Sequence, residues 1–498
     1  MRGHSCGGSN ASEFGGCPVL NRRQFLTRLG LAGGAALALN SGLFNWSTRS
    51  VMSAPALPGS GDGAARIRVG FSRPQDEYWM GWPGAAYDTQ ASQALYTGIL
   101  EDAAARLGVR LDIESEPLRN ADYADAFLQE TQAQEADGAL IVVMALHPDG
   151  WSTVDRFLAS RSDLPTVVFA PQGVQFTPTL RNYRDTPRCF VGATEDAGWL
   201  ASALRMLNTV WQMDHTRIAV IEGVDEREEK LEPVGTVLCY MSLERFAEAY
   251  DATEGADEAD AIAQTYMANA EDVAGPSRED VVEAARTYLA NRRIMEATGC
   301  HAVTMDCLGL VTNRRTPPPC MAYMQLLNER TCGCCERDIT SALSLMLSSY
   351  LFDKPAFLHN PTPSTVYNTY GGAHCTAPTL MDGFGEPASP YTLQTHHESD
   401  WGVAPQVLLR ENQPATVMQF LSGGALMAAT GAILHNIETQ TGVGGCRTGF
   451  QMAMDDVDDV LDIRGHHNVL VYGRHLHELR AWGQLAGVEI QRLTGGPA

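Results

Sequence analysis

One stretch gathers most of the residues that could do chemistry. Between Cys320 and Cys375 lie Glu336, Asp338, His359, Asn360 and His374, set on an apolar scaffold. Ile339, Leu343, Met346, Leu347 and Tyr350 recur at spacings of three and four, which predicts a helix with one buried stripe. Asp338 reads as an early residue of that helix and Glu336 as a carboxylate at its mouth. Lys354-Pro355 must end the helix, because proline cannot continue the hydrogen-bond ladder, and Ala356 to Leu358 is short and apolar enough for a buried strand. His359 and Asn360 then fall at the strand exit, where loops on a rigid frame carry catalytic groups. Glu336 there could act as an acid or base; the plainer alternative is a carboxylate that complements the helix dipole. Asp306, at the end of a strand predicted over His301 to Met305, could support Glu336 from behind, or simply cap the segment that follows.

The elements that must position these groups are legible as an alternation. Strands are predicted at Arg66 to Phe71, Arg110 to Ile113, Gly138 to Val143 and Thr166 to Phe169, with helices at Ala91 to Leu107 and Ala121 to Ala136. Strands alternating with amphipathic helices indicate a doubly wound parallel sheet, in which ligands sit at the carboxyl ends of the strands. Arg73, Trp79 and Trp82 follow the first strand, and stacking on a sugar is one use for them; covering a loop is the other. A second α/β unit is predicted to begin near Cys189 to Ala193, with a helix over Asp196 to Val210, a strand at Arg217 to Ile221 and a long helix over Arg278 to Ala297. After His374 the texture turns to short strands, glycines and prolines, with strands at Val407 to Leu409, Ala415 to Phe420, Ala425 to Leu434 and Val469 to Tyr472 and a closing helix from His475 to Leu485. The expected architecture is therefore α/β: two consecutive doubly wound α/β domains, residues 65–190 and 191–355, followed by a β-rich, barrel-like domain over 356–498. The acidic runs Asp225 to Glu232 and Glu254 to Asp260 read as solvated surface, and Asp455 to Asp459, which lacks the glycine of a calcium loop, as a solvated helical turn.

Several segments resemble one family. Cys335-Glu336-Arg337-Asp338-Ile339, Lys354 to Pro361 (Lys-Pro-Ala-Phe-Leu-His-Asn-Pro) and Gly371-Gly372-Ala373-His374-Cys375 are similar to the L-fucose isomerase and L-arabinose isomerase superfamily. The segments Thr395 to Pro405, Gly445 to Thr448 and Gly465 to Gly473 resemble its more distant, often exported members. The resemblance implies a divalent metal, usually manganese, and aldose-ketose isomerisation of a monosaccharide through an enediol. By position, Glu336 matches the family's first acid, His374 the histidine of the arabinose enzymes, and His466 or His467 the C-terminal ligand. Asn360 stands where the family has its second acid. Asparagine offers a neutral oxygen and no base, so His359 or Asp338 must substitute, or the chemistry has changed. His397, Glu398 and Arg447 become candidate substrate-binding residues on the same grounds, and the family implies a homo-oligomer.

Residues 1–56 read as a twin-arginine signal, with Asn21-Arg22-Arg23-Gln24-Phe25-Leu26, an apolar run from Leu29 to Leu43 and a small-residue site at Ala54-Pro55-Ala56, which predicts export of the folded chain to the periplasm or beyond. The chain has 498 residues, 44% of them hydrophobic, and a formal charge of -23. Such a surface repels nucleic acid and anionic membrane and suits a neutral small molecule such as a sugar or glycoside. Of the twelve cysteines, the Cys332-Gly333-Cys334-Cys335 cluster lacks the second knuckle of a structural zinc site and reads as small core residues, with disulfides open to it in an oxidising compartment. Two alternatives to the isomerase stay open: a secreted glycoside hydrolase using two carboxylates from among Glu336, Asp306, Asp338 and Glu398, and a non-catalytic sugar-binding protein.

Overall fold

The structure, a computed structural model, describes residues 63–76, 88–171, 173–437, 439 and 445–495. The twin-arginine segment and the two tryptophans Trp79 and Trp82 lie outside the described residues. Within them the chain is mixed α/β, with two parallel sheets and a closed β-barrel.

The first sheet uses β1 (Arg66–Ser72), β2 (Arg110–Ile113), β3 (Gly138–Val143), β4 (Thr166–Pro171) and β5 (Cys189–Thr194) in the order β2-β1-β3-β4-β5, all parallel. Every residue of β3 and β4 is buried, the continuous apolar run expected of strands covered on both faces. The segment expected to open a second unit at Cys189 is thus the fifth strand of the first sheet. Its register on β4, from Thr166 opposite Cys189 to Pro171 opposite Thr194, decides this, and no local pattern reveals it.

The second sheet comprises β6 (Arg217–Ile221), β7 (Arg227–Leu231), β8 (Thr236–Met241), β10 (Ala302–Met305) and β11 (Cys332–Cys334), ordered β11-β10-β6-β8-β7. It is parallel except for β7, which returns antiparallel on β8. The acidic run at Asp225 therefore holds a strand as well as solvated surface: all of β7 but Leu231 is exposed, and charge on an edge strand discourages pairing with other chains. A short strand β9 (Asp272–Ala274) leaves this region to join β14 (Tyr391–Thr395) and β15 (Val403–Val407) in a small separate sheet. β15 ends where a strand at Val407 to Leu409 was expected to begin.

The barrel closes through six strands, β12 (Phe357–Ser364), β13 (Thr369–His374), β16 (Pro414–Phe420), β17 (Leu426–Asn436), β18 (Thr448–Met454) and β19 (Asn468–Tyr472), with β20 (Ile490–Arg492) appended to β17. β12 runs well past Leu358, so His359 and Asn360 lie inside a strand and not at its exit. Pro361 and Pro363 are tolerated because β12 meets β19 only at Phe357 to His359, while Asn360 to Ser364 pair with β13 alone; the missing N–H groups fall on the unpaired side. Asp455 to Asp459 is irregular rather than helical, with Asp459 capping a 3₁₀ turn at Val460–Asp462.

The helix Ile339–Leu347 sits between the second sheet and the barrel. Ser341 through Leu347 are all buried, so the helix is enclosed on all sides and not along one stripe. Its serines act as polar joints to the barrel: Phe420 N donates to Ser344 Oγ at 2.9 Å and Gln419 Nε2 to Ser341 Oγ at 3.0 Å. Asp338 is the N-cap, one residue outside the helix, and a π-helical turn, Ser348–Phe352, follows before Lys354-Pro355. Among the described residues no helix is long and apolar enough to cross a membrane.

Where β12, β13 and β18 meet, Gly372 leaves room for two rings. A Cβ there would stand 2.3 Å from His359 Cδ2 and 2.6 Å from Phe450 Cε1, and both of those side chains are fully buried. Gly372→Ala should therefore destabilise the protein by about 1–3 kcal/mol through overpacking. Chemical denaturation would show a lower midpoint at unchanged slope; an unchanged midpoint would mean that the rings yield freely.

Candidate metal centre

Backbone strain marks the site first. β11 ends at Cys334 on the carboxyl side of the second sheet, and the chain then places Glu336 and Arg337 in succession in the left-handed region, at φ 58° and 60°. Each such non-glycine residue costs on the order of 1–3 kcal/mol and persists only where its surroundings hold it. Here the carboxylate is held by two histidines from the barrel. Glu336 Oε1 lies 3.4 Å from His374 Nε2, and Oε2 lies 3.5 Å from His467 Nε2.

Barrel register brings the histidines together. β12 is flanked by β19, with His359 opposite Asn468, and by β13, with Asn360 opposite Ala373. His467, at the start of β19, and His374, at the end of β13, therefore stand at one end of the barrel on either side of Asn360. Their rings are 5.6 Å apart between centroids, and both residues are buried.

Behind His467 lies Asp338. Its Oδ2 accepts His467 Nδ1–H at 2.9 Å and Ser341 Oγ–H at 2.7 Å, and its Oδ1 accepts Ser341 N–H at 3.0 Å and Thr340 Oγ–H at 2.6 Å. The bond to Nδ1 fixes the ring and presents Nε2 to Glu336, the carboxylate–histidine arrangement that orients metal ligands. Asp338 thus positions His467 and is not among the residues lining the cavity.

Charge follows from these contacts. Hydrogen bonds from His374 and His467 hold the Glu336 carboxyl well below the usual carboxylate range. Burial works to raise Asp338, but the bonds from His467, Thr340 and Ser341 together hold it low as well. For His467 burial pulls downward, yet the bonds to Asp338 and Glu336 outweigh it and carry the imidazolium up to about 9.

Glu336, His374 and His467 each offer one donor atom, all within 4.8 Å of one another, so the cluster could hold a metal ion. One further observation fits a cation. Donors bonded to one ion at about 2.1 Å near the tetrahedral angle are themselves roughly 3.4 Å apart, close to the separations seen. Two imidazoles and a carboxylate suit divalent first-row metals, without choosing among them.

The other expected residues divide. Asn360 lines the same cavity and donates Nδ2 to His466 O at 3.4 Å, leaving its amide oxygen as the group it can offer. His467, not His466, completes the cluster, since His466 is exposed. His359 cannot replace the missing acid: it is buried in the core, with Nε2 2.6 Å from Tyr370 Oη, and burial lowers it to about 3. Asp306 caps the short helix Cys307–Thr312 through Gly309 N–H at 3.2 Å, the plainer of its two expected roles. Arg73 pairs with Asp76 at 3.3 Å beside the first sheet and is not among the residues lining this cavity. Arg447 is buried behind the cavity wall, with Nε donating to Thr395 O at 2.8 Å.

Of the three neighbours His396, His397 and Glu398, the first and third line the cavity while His397 does not. His396 is the residue that sequence reasoning missed. The only signal was alternation along Thr395-His396-His397, which could not say which histidine faces inward. Its Nδ1 is 2.9 Å from Ser399 Oγ, whose own proton goes to Trp401 O at 3.0 Å. Ser399 must then accept Nδ1–H, which leaves Nε2 of His396 with a free lone pair, and burial keeps this ring's pKa low.

Comparison with known protein families and with curated proteins finds no match to this chain.

Two outcomes follow from the geometry. Since a proton stays on His467 up to about pH 9, a cation must displace it, and affinity should climb about tenfold per pH unit below that value. Titration calorimetry in buffers of different ionisation enthalpy should find about one proton released per ion near neutrality; a pH-independent affinity would contradict the assignment. Asp338→Asn should weaken binding about 10- to 100-fold by loosening the ring, measurable by chelator competition.

Proposed function

We propose that the protein is a divalent-metal-dependent enzyme that isomerises a small hydroxy-carbonyl substrate, in the manner of aldose-ketose isomerases, with manganese as the first ion to test. The observation that carries this reading is the convergence of Glu336, His374 and His467, whose donor atoms lie within 4.8 Å of one another, with Asp338 behind His467. Glu336, His374 and His467 would hold the ion, with the amide oxygen of Asn360 as a neutral fourth donor. When bound, the cation supplies Lewis-acid polarisation of a carbonyl and its neighbouring hydroxyl.

The chain's own residues divide the remaining work. Asn360 cannot take a proton, and the Glu336 carboxylate is too strongly stabilised by its histidines to be an effective base. His396, buried in the cavity wall with Nε2 unprotonated, moves the proton between adjacent carbons. The cavity volume of about 40 Å³ takes roughly three water-sized groups, which suits the two-carbon end of an open-chain sugar better than a closed ring. The exposed Glu398 stands at the rim, where the rest of the chain would extend.

The charge disfavours a glycoside hydrolase built on Glu336 and Asp338. Glu336 and Asp338 are both held ionised, whereas a glycosidase needs one protonated carboxyl. The same reading takes the two parallel sheets as doubly wound, the order β2-β1-β3-β4-β5 supporting it for the first, and takes the chain as an exported homo-oligomer free of nucleic acid and membrane.

The test is a screen of free sugars and aryl glycosides on purified full-length protein, with and without chelator. Isomerisation abolished by chelator is expected; cleavage of aryl glycosides unaffected by chelator would overturn the reading. Two variants separate the roles. His396→Gln should lower turnover by about 10²–10⁴ while the ion is retained, whereas Glu336→Gln should lose the ion and the turnover together. Normal turnover in His396→Gln would remove it as the base.

A further inference from the structure

The cavity beside Glu336 is rich in sulfur. Cys307, Cys320, Cys335, Cys375 and Cys446 all line it, and all are thiols, yet neither metal binding nor proton transfer uses them. Cys335 is engaged elsewhere, its Sγ donating to Thr376 Oγ at 3.4 Å. Cys375 and Cys446 stand apart because both lie just past the last pair of β13 and β18, His374 opposite Thr448, and both line the cavity. Strand register would set Cys375 opposite Arg447, so side-chain packing, not register, brings the two cysteines together. Cys446 packs against the cluster of Cys375, Cys320 and Ala404, and the neighbouring Cys375 thiol, together with burial, pushes the Cys446 thiol up. Cys446 is half-buried and Cys375 buried, so an incoming oxidant meets Cys446 first.

We infer that Cys375 and Cys446 are a dithiol pair that closes to a disulfide and so fastens the His374 end of β13 to the segment bearing Arg447. The oxidant is a disulfide, of a protein or of a small molecule. Cys446 gives up its proton to solvent as its sulfur attacks one sulfur of the donor and expels the other as a thiol; Cys375 then attacks Cys446 in the mixed disulfide and releases the second donor thiol. One S–S bond forms as another breaks, and the electron pair, with protons exchanged through solvent, passes to the donor. The bridge bears on the metal centre from two sides. Cys375 adjoins the ligand His374, and Arg447 holds Thr395 O, one residue from His396. Closing the pair makes these walls one covalent unit, so oxidation slows the escape of a bound ion; that consequence rests on the metal reading above.

The test uses full-length protein, reduced or treated with oxidised glutathione, then alkylated and digested without reductant. One linked pair of peptides, joined through Cys375 and Cys446 and absent from Cys446→Ser, is the expected result. Manganese release into excess chelator should be about tenfold slower from the oxidised protein, a difference that Cys446→Ser abolishes, with Cys446→Ala as the replacement should the serine variant misfold. Both thiols remaining open to alkylation after oxidation, or Cys375 linked to Cys320 instead, would overturn the pairing. A correct link with equal release rates would overturn the effect on the metal centre. A protein that never binds manganese defeats the metal reading, and the linked peptides then decide the disulfide alone.

Discussion

Everything at this site leans on the carboxylate of Asp338. It accepts four hydrogen bonds, three from the first turn of the Ile339–Leu347 helix and one from His467 of the barrel. A helix N-terminus needs an acceptor for its free N–H groups, and a metal-ligand histidine needs an acceptor for its far nitrogen. One side chain meets both needs, and so ties the end of the second sheet to the barrel. Removing it would leave the helix uncapped and the imidazole unoriented together.

The strain at Glu336 and Arg337 is intelligible on the same frame. β11 must stop, turn and hand the chain to a capped helix within three residues, and two left-handed residues accomplish that. Such conformations are unfavourable alone. They persist because the turn is pinned at both ends: Arg337 pairs with Glu222 at 2.8 Å, and Glu336 is drawn between His374 and His467. The same attraction that strains the backbone keeps the carboxylate charged. In a buried setting a charge of that kind demands compensation, which protonated His467 provides and which a divalent cation would provide more fully.

The pairing of a hard-donor cluster with a wall of thiols is the other distinctive property of the cavity. Cysteine packs as a small hydrophobe, and Cys332 and Cys334 on β11 are buried, their thiols donating to Ala342 O and Asp338 O. Cys375 and Cys446 differ in one respect: they pack together, with Cys446 half-buried at the edge of the cavity.

Much of this could be read from the sequence alone. Alternating apolar runs and helical periodicities determined most strands and helices of the two parallel sheets, because each is set by local pattern: Arg110 to Ile113, Gly138 to Val143 and Arg217 to Ile221 begin and end where expected. That Glu336, His374 and one of His466 or His467 come together was also expected, and the structure brings Glu336, His374 and His467 within reach of one another. Tertiary structure decided the rest. It chose His467 over its neighbour and turned His359 into the core. It also selected His396 over His397, made Asp338 a positioning group, and gave Cys189 to Thr194 to the first sheet. Each of these depends on strand register, which alternates side chains between faces residue by residue and is fixed by partners distant in the chain. A sequence shows which residues are able to do chemistry; which way they point is settled only when the barrel closes.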